Sequence, residues 1–164
     1  MIRDQAILVR PDGSVMFDSP APTARQGVEP RDAWRSRTVN KAIAEQAKRG
    51  VTLTMASRIA PEERPSSKVR DAIRMGVDGR LVVLFDLARQ QLAKRFQVEA
   101  GLRLAALRGA AEIAAWFVLG DADSWAVRLA ALQTEAQRLG VALRDAASVA
   151  DLLTIKPRWP GDAA

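Results

Sequence analysis

Apolar residues are spaced along this chain in several distinct ways, and each spacing predicts a different kind of element. Ala6-Ile7-Leu8-Val9-Arg10 and Ser14-Val15-Met16-Phe17-Asp18 flank Pro11-Asp12-Gly13, where proline presets φ, aspartate caps the turn and glycine takes the left-handed position. An N-terminal β-hairpin over residues 1–18 is expected. Residues 19–30 hold Pro20, Pro22, Gly27 and Pro30 among small and polar side chains, the composition of an exposed connection. From Arg31 to Arg49, Val39, Ala42, Ile43 and Ala47 recur at helical spacing, and Gly50 stands where a helix would stop. Val51-Thr52-Leu53-Thr54-Met55 reads as a strand. Ser66 or Ser67 can then cap a short helix through Val69, Ala72, Ile73 and Met75, ended by Gly76.

Two of the most apolar short runs come later, Leu81-Val82-Val83-Leu84-Phe85 and Ala115-Trp116-Phe117-Val118-Leu119, and both lead into aspartate. A short unbroken apolar run matches a strand buried on both faces, and by periodicity it matches a buried helix segment as well. Two parallel strands would set Asp86, Asp121 and Asp123 along one sheet edge, where open α/β folds bind ligands. Between the runs, Leu92, Phe96, Ala100, Leu104 and Leu107 predict a helix of about twenty residues broken by Gly109. Its other side carries Arg89, Lys94, Arg95, Arg103 and Arg108, a second basic face. Residues 110–119 fit a helix or a strand. Beyond Gly120 the aspartates and Ser124 supply an N-cap, and Trp125, Leu129, Leu132, Ala136 and Leu139 form a stripe up to Gly140. Val141 to Asp145 reads as a further short strand and Ser148 to Leu153 as a last helix. The expected fold is a single α/β domain with a small mixed sheet, an N-terminal β-hairpin and several amphipathic helices. Its body covers residues 31–155, and residues 156–164, with Pro157 and Pro160, form a C-terminal tail.

Composition narrows the chemistry. The chain has 164 residues, 48% of them hydrophobic and 27% charged, values typical of one globular domain. It has no cysteine, histidine or tyrosine, so thiol catalysis, serine–histidine triads, histidine-ligated metals and tyrosine nucleophiles cannot be built from it. A Mg²⁺ site needs only oxygen ligands and survives this elimination. No run approaches the roughly eighteen apolar residues of a membrane span, and the start lacks the basic and apolar regions of a signal peptide. A cytoplasmic protein is expected. The net charge is +6, and its distribution matters more than its size: residues 31–80 carry twelve basic and six acidic side chains, whereas 81–164 carry ten and nine. A local cationic excess suits a polyanion such as DNA or RNA, and it also suits a plain solvated surface.

Asp18, Asp86, Asp121 and Asp145 each close a predicted strand. Carboxylates at neighbouring strand ends build many Mg²⁺-dependent phosphoryl-transfer sites, although aspartate is also a common turn and cap residue that needs no metal. The stretch from Trp116 to Asp123, followed by a helix, Gly140 and a short strand, resembles the Asp-x-Asp half of a topoisomerase/primase (Toprim) domain. It resembles the Gly-Asp-x-Asp segment of PIN-type nucleases equally. Either resemblance would imply Mg²⁺ on Asp121 and Asp123 and a nucleic-acid substrate. Asp86-Leu87 stands where Toprim domains have Glu-Gly, and the first PIN aspartate, expected at the start of the fold, has no counterpart. No phosphate-binding loop accompanies Leu81 to Asp86.

The expected role is therefore a nucleic-acid-binding or nucleic-acid-associated bacterial protein that works without catalysis. Its arginine- and alanine-rich composition suits a GC-rich genome or a mobile element. The interface would be formed by Arg31, Trp34, Arg35, Arg37, Lys41, Lys48 and Arg49, with Trp34 stacking on bases or packing inward. An acidic protein surface is the other partner of matching charge. The alternatives are a Mg²⁺-dependent nuclease or phosphotransferase using Asp86, Asp121 and Asp123, and an adaptor or inhibitor that binds another protein. No cofactor is expected in the first reading and Mg²⁺ in the second.

Overall fold

The structure is a computed structural model, and it describes residues 5–18, 30–59, 64–116 and 122–161. The chain is mixed α/β and partitions into two compact units, Met1–Leu84 and Phe85–Ala164.

In the first unit, β1 (Gln5–Val9) pairs antiparallel with both β2 (Val15–Asp18) and β3 (Thr54–Ile59), giving the strand order β2-β1-β3. The hairpin forms as expected. Asp12 accepts from the Ser14 amide at 2.9 Å and from the Ser14 hydroxyl at 2.6 Å, which holds its carboxyl below the usual range, and Gly13 has φ +77°. Side chains alternate across a strand, so the unbroken apolar run of β1 serves two cores at once. Ala6 and Leu8 pack with Val39 of helix α1 (Arg31–Lys48) and with Leu53. Ile7 and Val15 face the other way and pack with Ile73, Leu81 and Val83. Those residues belong to a second antiparallel hairpin, β4 (Ile73–Met75) and β5 (Leu81–Val83), which an isolated bridge from Ser14 to Arg74 ties to the first sheet. Helix, sheet and hairpin thus form three layers with β1 in the middle. The strand expected at residues 51–55 begins later, at Thr54, because the amides of Gly50 (φ +75°) and Val51 close α1 by donating hydrogen bonds to the Ala47 and Gln46 carbonyls. Ser66 caps a 3-10 helix (Ser67–Ala72), as expected, but Ile73 and Met75 leave it for β4.

The second unit is helical. Helix α2 (Phe85–Trp116) and helix α3 (Ala122–Asp145) pack along one another, and helix α4 (Val149–Thr154) is capped by Ser148, which accepts from the Asp151 amide. Arg89 shares a groove with Arg144, and Ala110 shares one with Trp125, so α2 and α3 run antiparallel. Leu92, Phe96, Leu132, Leu139, Leu143, Leu152 and Trp159 form the buried interior. Among the described residues, no helix is long and apolar enough to cross a membrane.

Two strand expectations are corrected here, and a third, at 115–119, falls mostly outside the described residues. Leu81–Val83 is a three-residue strand that pairs antiparallel, and the chain enters α2 at Phe85, so Asp86 sits in the first turn of a helix rather than at a strand end. Its negative charge suits the positive end of the helix dipole. Ala115 and Trp116 end α2, and Ala122 and Asp123 begin α3, while Phe117–Asp121 lie outside the described residues. Val141–Asp145 is the last part of α3, because Leu143 continues the Leu132–Leu139 stripe one turn further. Both sheets are antiparallel, and neither has the parallel strands on which the sheet-edge site depended.

Candidate nucleic-acid interface

Helix α1 is laid down with Val39, Ala42 and Ile43 toward the core of its unit, which turns its opposite side to solvent. Arg37, Lys41, Ala44 and Lys48, spaced i, i+4, i+7 and i+11, form one exposed stripe, and exposed Arg49 extends it at the C-terminal end. The acidic residues on this helix are few. Asp32 lies 3.9 Å from the half-buried Arg35 guanidinium, and Glu45 pairs with Lys48 at 3.0 Å. The positive charge of the helix C-terminal half therefore stands close to the negative end of its own dipole, where Lys48 and Arg49 are favourably placed.

Of the residues expected at this interface, Arg37, Lys41, Lys48 and Arg49 are exposed on one helix. Arg31 begins that helix, and its side chain lies outside the described set. Trp34 is only 9% exposed, which withdraws its ring from base stacking and makes it part of the packing. Charge counting passed over Ser36 and Asn40, exposed neighbours of Arg37 and Lys41. A helical wheel brings the four together as a patch of two cations and two neutral hydrogen-bonding groups, the mix that proteins use to position phosphates. The signal was in the sequence, at spacing i, i+1, i+4, i+5.

The second basic face does not form. At 3.6 residues per turn, Arg89, Lys94, Arg95, Arg103 and Arg108 point around α2 rather than along one side of it. Several are committed locally: Arg95 to Glu99 at 2.9 Å, Arg103 over the Trp159 ring at 5.7 Å, and Arg89 over Phe85 at 4.5 Å.

The aspartates are spread over different settings. Asp18 does end a strand, and burial pushes its carboxyl up from the ordinary range. Asp86 is exposed in the first turn of α2, Asp123 lies in the first turn of α3 with its side chain undescribed, Asp121 lies outside the described residues, and Asp145 ends a helix. Among the described residues, no three acidic side chains converge in a way that could hold a metal ion.

Together, the fold and this face define a small mixed α/β protein that presents a cationic, hydrogen-bonding helix surface. Compared with known proteins, the chain matches no protein family, no curated protein and no solved structure.

Proposed function

We propose that this protein binds nucleic acid without chemistry, through the outer side of α1. One observation carries the reading: the apolar side of α1 is fixed in the core, so Arg37, Lys41, Lys48 and Arg49 are held outward on a rigid helix beside Ser36 and Asn40. Cations on a regular element can follow a phosphate backbone, and their contribution comes from releasing its counterions. The reading includes a cytoplasmic setting, where nucleic acid is met. It makes the contact chiefly electrostatic and weakly dependent on sequence, because nothing here supports insertion of an aromatic ring between bases.

The double variant Arg37→Ala/Lys41→Ala tests it. Both residues are exposed, so the fold is expected to persist with an unchanged circular dichroism spectrum. Affinity for duplex DNA at low salt is expected to fall about tenfold or more, and the slope of log K against log salt to shrink by about 2, close to one unit per lost phosphate contact. An affinity that stays within twofold while an acidic protein is bound in its place would transfer the face to a protein partner.

A further inference from the structure

The antiparallel packing of α2 and α3 leaves a groove between them with a cavity volume of about 410 Å³, inside the size range of small-molecule sites. Its walls are apolar, built from Phe96, Leu139, Leu143 and Trp159. The groove has two unlike ends. Because the helices run antiparallel, Arg89 near the start of α2 and Arg144 near the end of α3 line the same end. Trp159 stands at the other end, held there by its Nε1–H, which donates to Glu99 Oε2 at 3.1 Å. From Arg89 to Glu99 the helix rises about 15 Å.

Neither guanidinium at the first end has a carboxylate partner among the described residues, and no described acidic side chain lines the groove. Arg89 is half-buried and rests on the Phe85 ring. One of its terminal nitrogens reaches the Ala146 carbonyl only at 3.4 Å, and its Nε is buried with no acceptor. Two unneutralised guanidiniums beside an apolar trough form a surface complementary to one kind of small molecule, an extended apolar body with an anionic head. A carboxylate suits this geometry, since guanidinium offers it paired donors and binds it more strongly than a neutral acceptor.

We infer that the α2/α3 groove is a binding site for a medium-chain carboxylate amphiphile, with the head on Arg89 and Arg144 and the chain lying along Phe96 and Leu139 toward Trp159. The site lies in the helical unit and makes no use of the α1 surface. It therefore stands or falls apart from the nucleic-acid reading.

Calorimetric titration of the full chain with decanoate, kept below its micelle-forming concentration, tests this against decanol and decyltrimethylammonium, which share its chain and differ in charge. Decanoate is expected to bind at least tenfold more tightly than either. Arg144→Gln, at an exposed position, is expected to weaken decanoate severalfold, and Arg89→Gln/Arg144→Gln to bring it to the affinity of decanol. Gly140 lines the groove, and a Cβ placed there meets nothing within 4 Å, so Gly140→Leu is expected to fill the trough and abolish decanoate binding while the helix content is kept. Equal binding of decanoate and decanol to the unaltered chain would overturn the proposal. So would decanoate binding that Gly140→Leu leaves intact, or no binding at all.

Discussion

Replacing Leu8 with alanine is expected to destabilise the N-terminal unit by about 3 kcal/mol, read as a lower midpoint of urea unfolding at unchanged m-value. Leu8 is fully buried on the central strand of the three-stranded sheet, packed in one cluster with Ala6, Val39 and Leu53 and flanked by Met16, Ala42 and Ile43. The loss has two parts, the transfer free energy of the deleted methyl-bearing carbons and the cavity left where strand and helix cannot fully close. Two features argue for a value in the middle of the range for such changes rather than at its low end. The β1 backbone is pinned by ladders on both sides, so it cannot shift to fill the gap, and Val39, its buried neighbour on α1, is β-branched and held to essentially one rotamer in a helix, so it does not swing in. Domains of this kind are stable by only about 5–15 kcal/mol, so the change removes a large share of the total. Val77→Ala, at a fully exposed site, is the control and is expected to stay within about 0.5 kcal/mol.

The second large effect belongs to the helical unit. Glu135 is 8% exposed, and its carboxylate is met from two sides. Arg138 donates through Nε and Nη2 at 2.7 Å each, and the backbone amide of Arg158 donates at 2.6 Å. Arg138 Nη2 also donates to the Lys156 carbonyl at 2.8 Å, so this ion pair fastens the segment before Trp159 onto α3. Glu135→Ala is expected to cost about 2 kcal/mol, less than breaking a fully buried pair because the Arg138 side chain is 42% exposed and regains water. It is also expected to free the tail, seen as faster amide exchange at Arg158 and Trp159. The Arg138 hydrogen bonds hold the Glu135 carboxyl below its ordinary value of 4.5, with the Arg158 amide adding to them against burial. A carboxyl lowered by folding stabilises the fold in full above its unfolded value and loses that contribution as pH falls through the folded one. Glu99, whose carboxyl is also lowered, through Arg95 and the Trp159 indole against burial, acts with the same sign. Tail release is thus expected as pH falls from the ordinary value of 4.5 through the lowered folded values in the unaltered protein, and that pH dependence is expected to be smaller in Glu135→Ala.

How far the fold was legible in the sequence depends on what followed each glycine. Gly50 was rightly read as a helix stop: it takes a positive φ, and the next residues, Val51-Thr52-Leu53-Thr54, are strand formers. Gly109 and Gly140 were read the same way and lie inside helices, because Ala110-Ala111-Glu112 and Val141-Ala142-Leu143 follow them. A glycine inside a helix costs about 1 kcal/mol, and in α3 the burial of Leu143 on the same stripe offsets it. The rule that an unbroken apolar run marks a strand buried on both faces holds for β1 and not for the run at 81–85, where only Leu81–Val83 is a strand and Val82 is exposed. β1 is central, with layers on both sides. Of the later runs, Leu81–Val83 forms a short antiparallel strand, Phe85 starts α2 and Ala115 and Trp116 end it, and Phe117–Leu119 lie outside the described residues. The charged side of α1 was visible from residue spacing alone. The burial of Trp34 was not, since its neighbours Arg31, Arg35 and Arg37 suggested a polar setting. The α2/α3 groove was hidden for another reason: it depends on which turns of two helices face each other, and no local pattern states that.

The measurement closest to the central claim is a fluorescence anisotropy titration of the unaltered protein with a labelled DNA duplex and the matching single strand, repeated across salt concentrations. With Arg37, Lys41, Lys48 and Arg49 neutralising phosphates, log K is expected to fall with log salt at a slope of about −3.6 on the duplex, with the DNA left intact in Mg²⁺. Absence of binding at low salt, or binding indifferent to salt, would contradict the account.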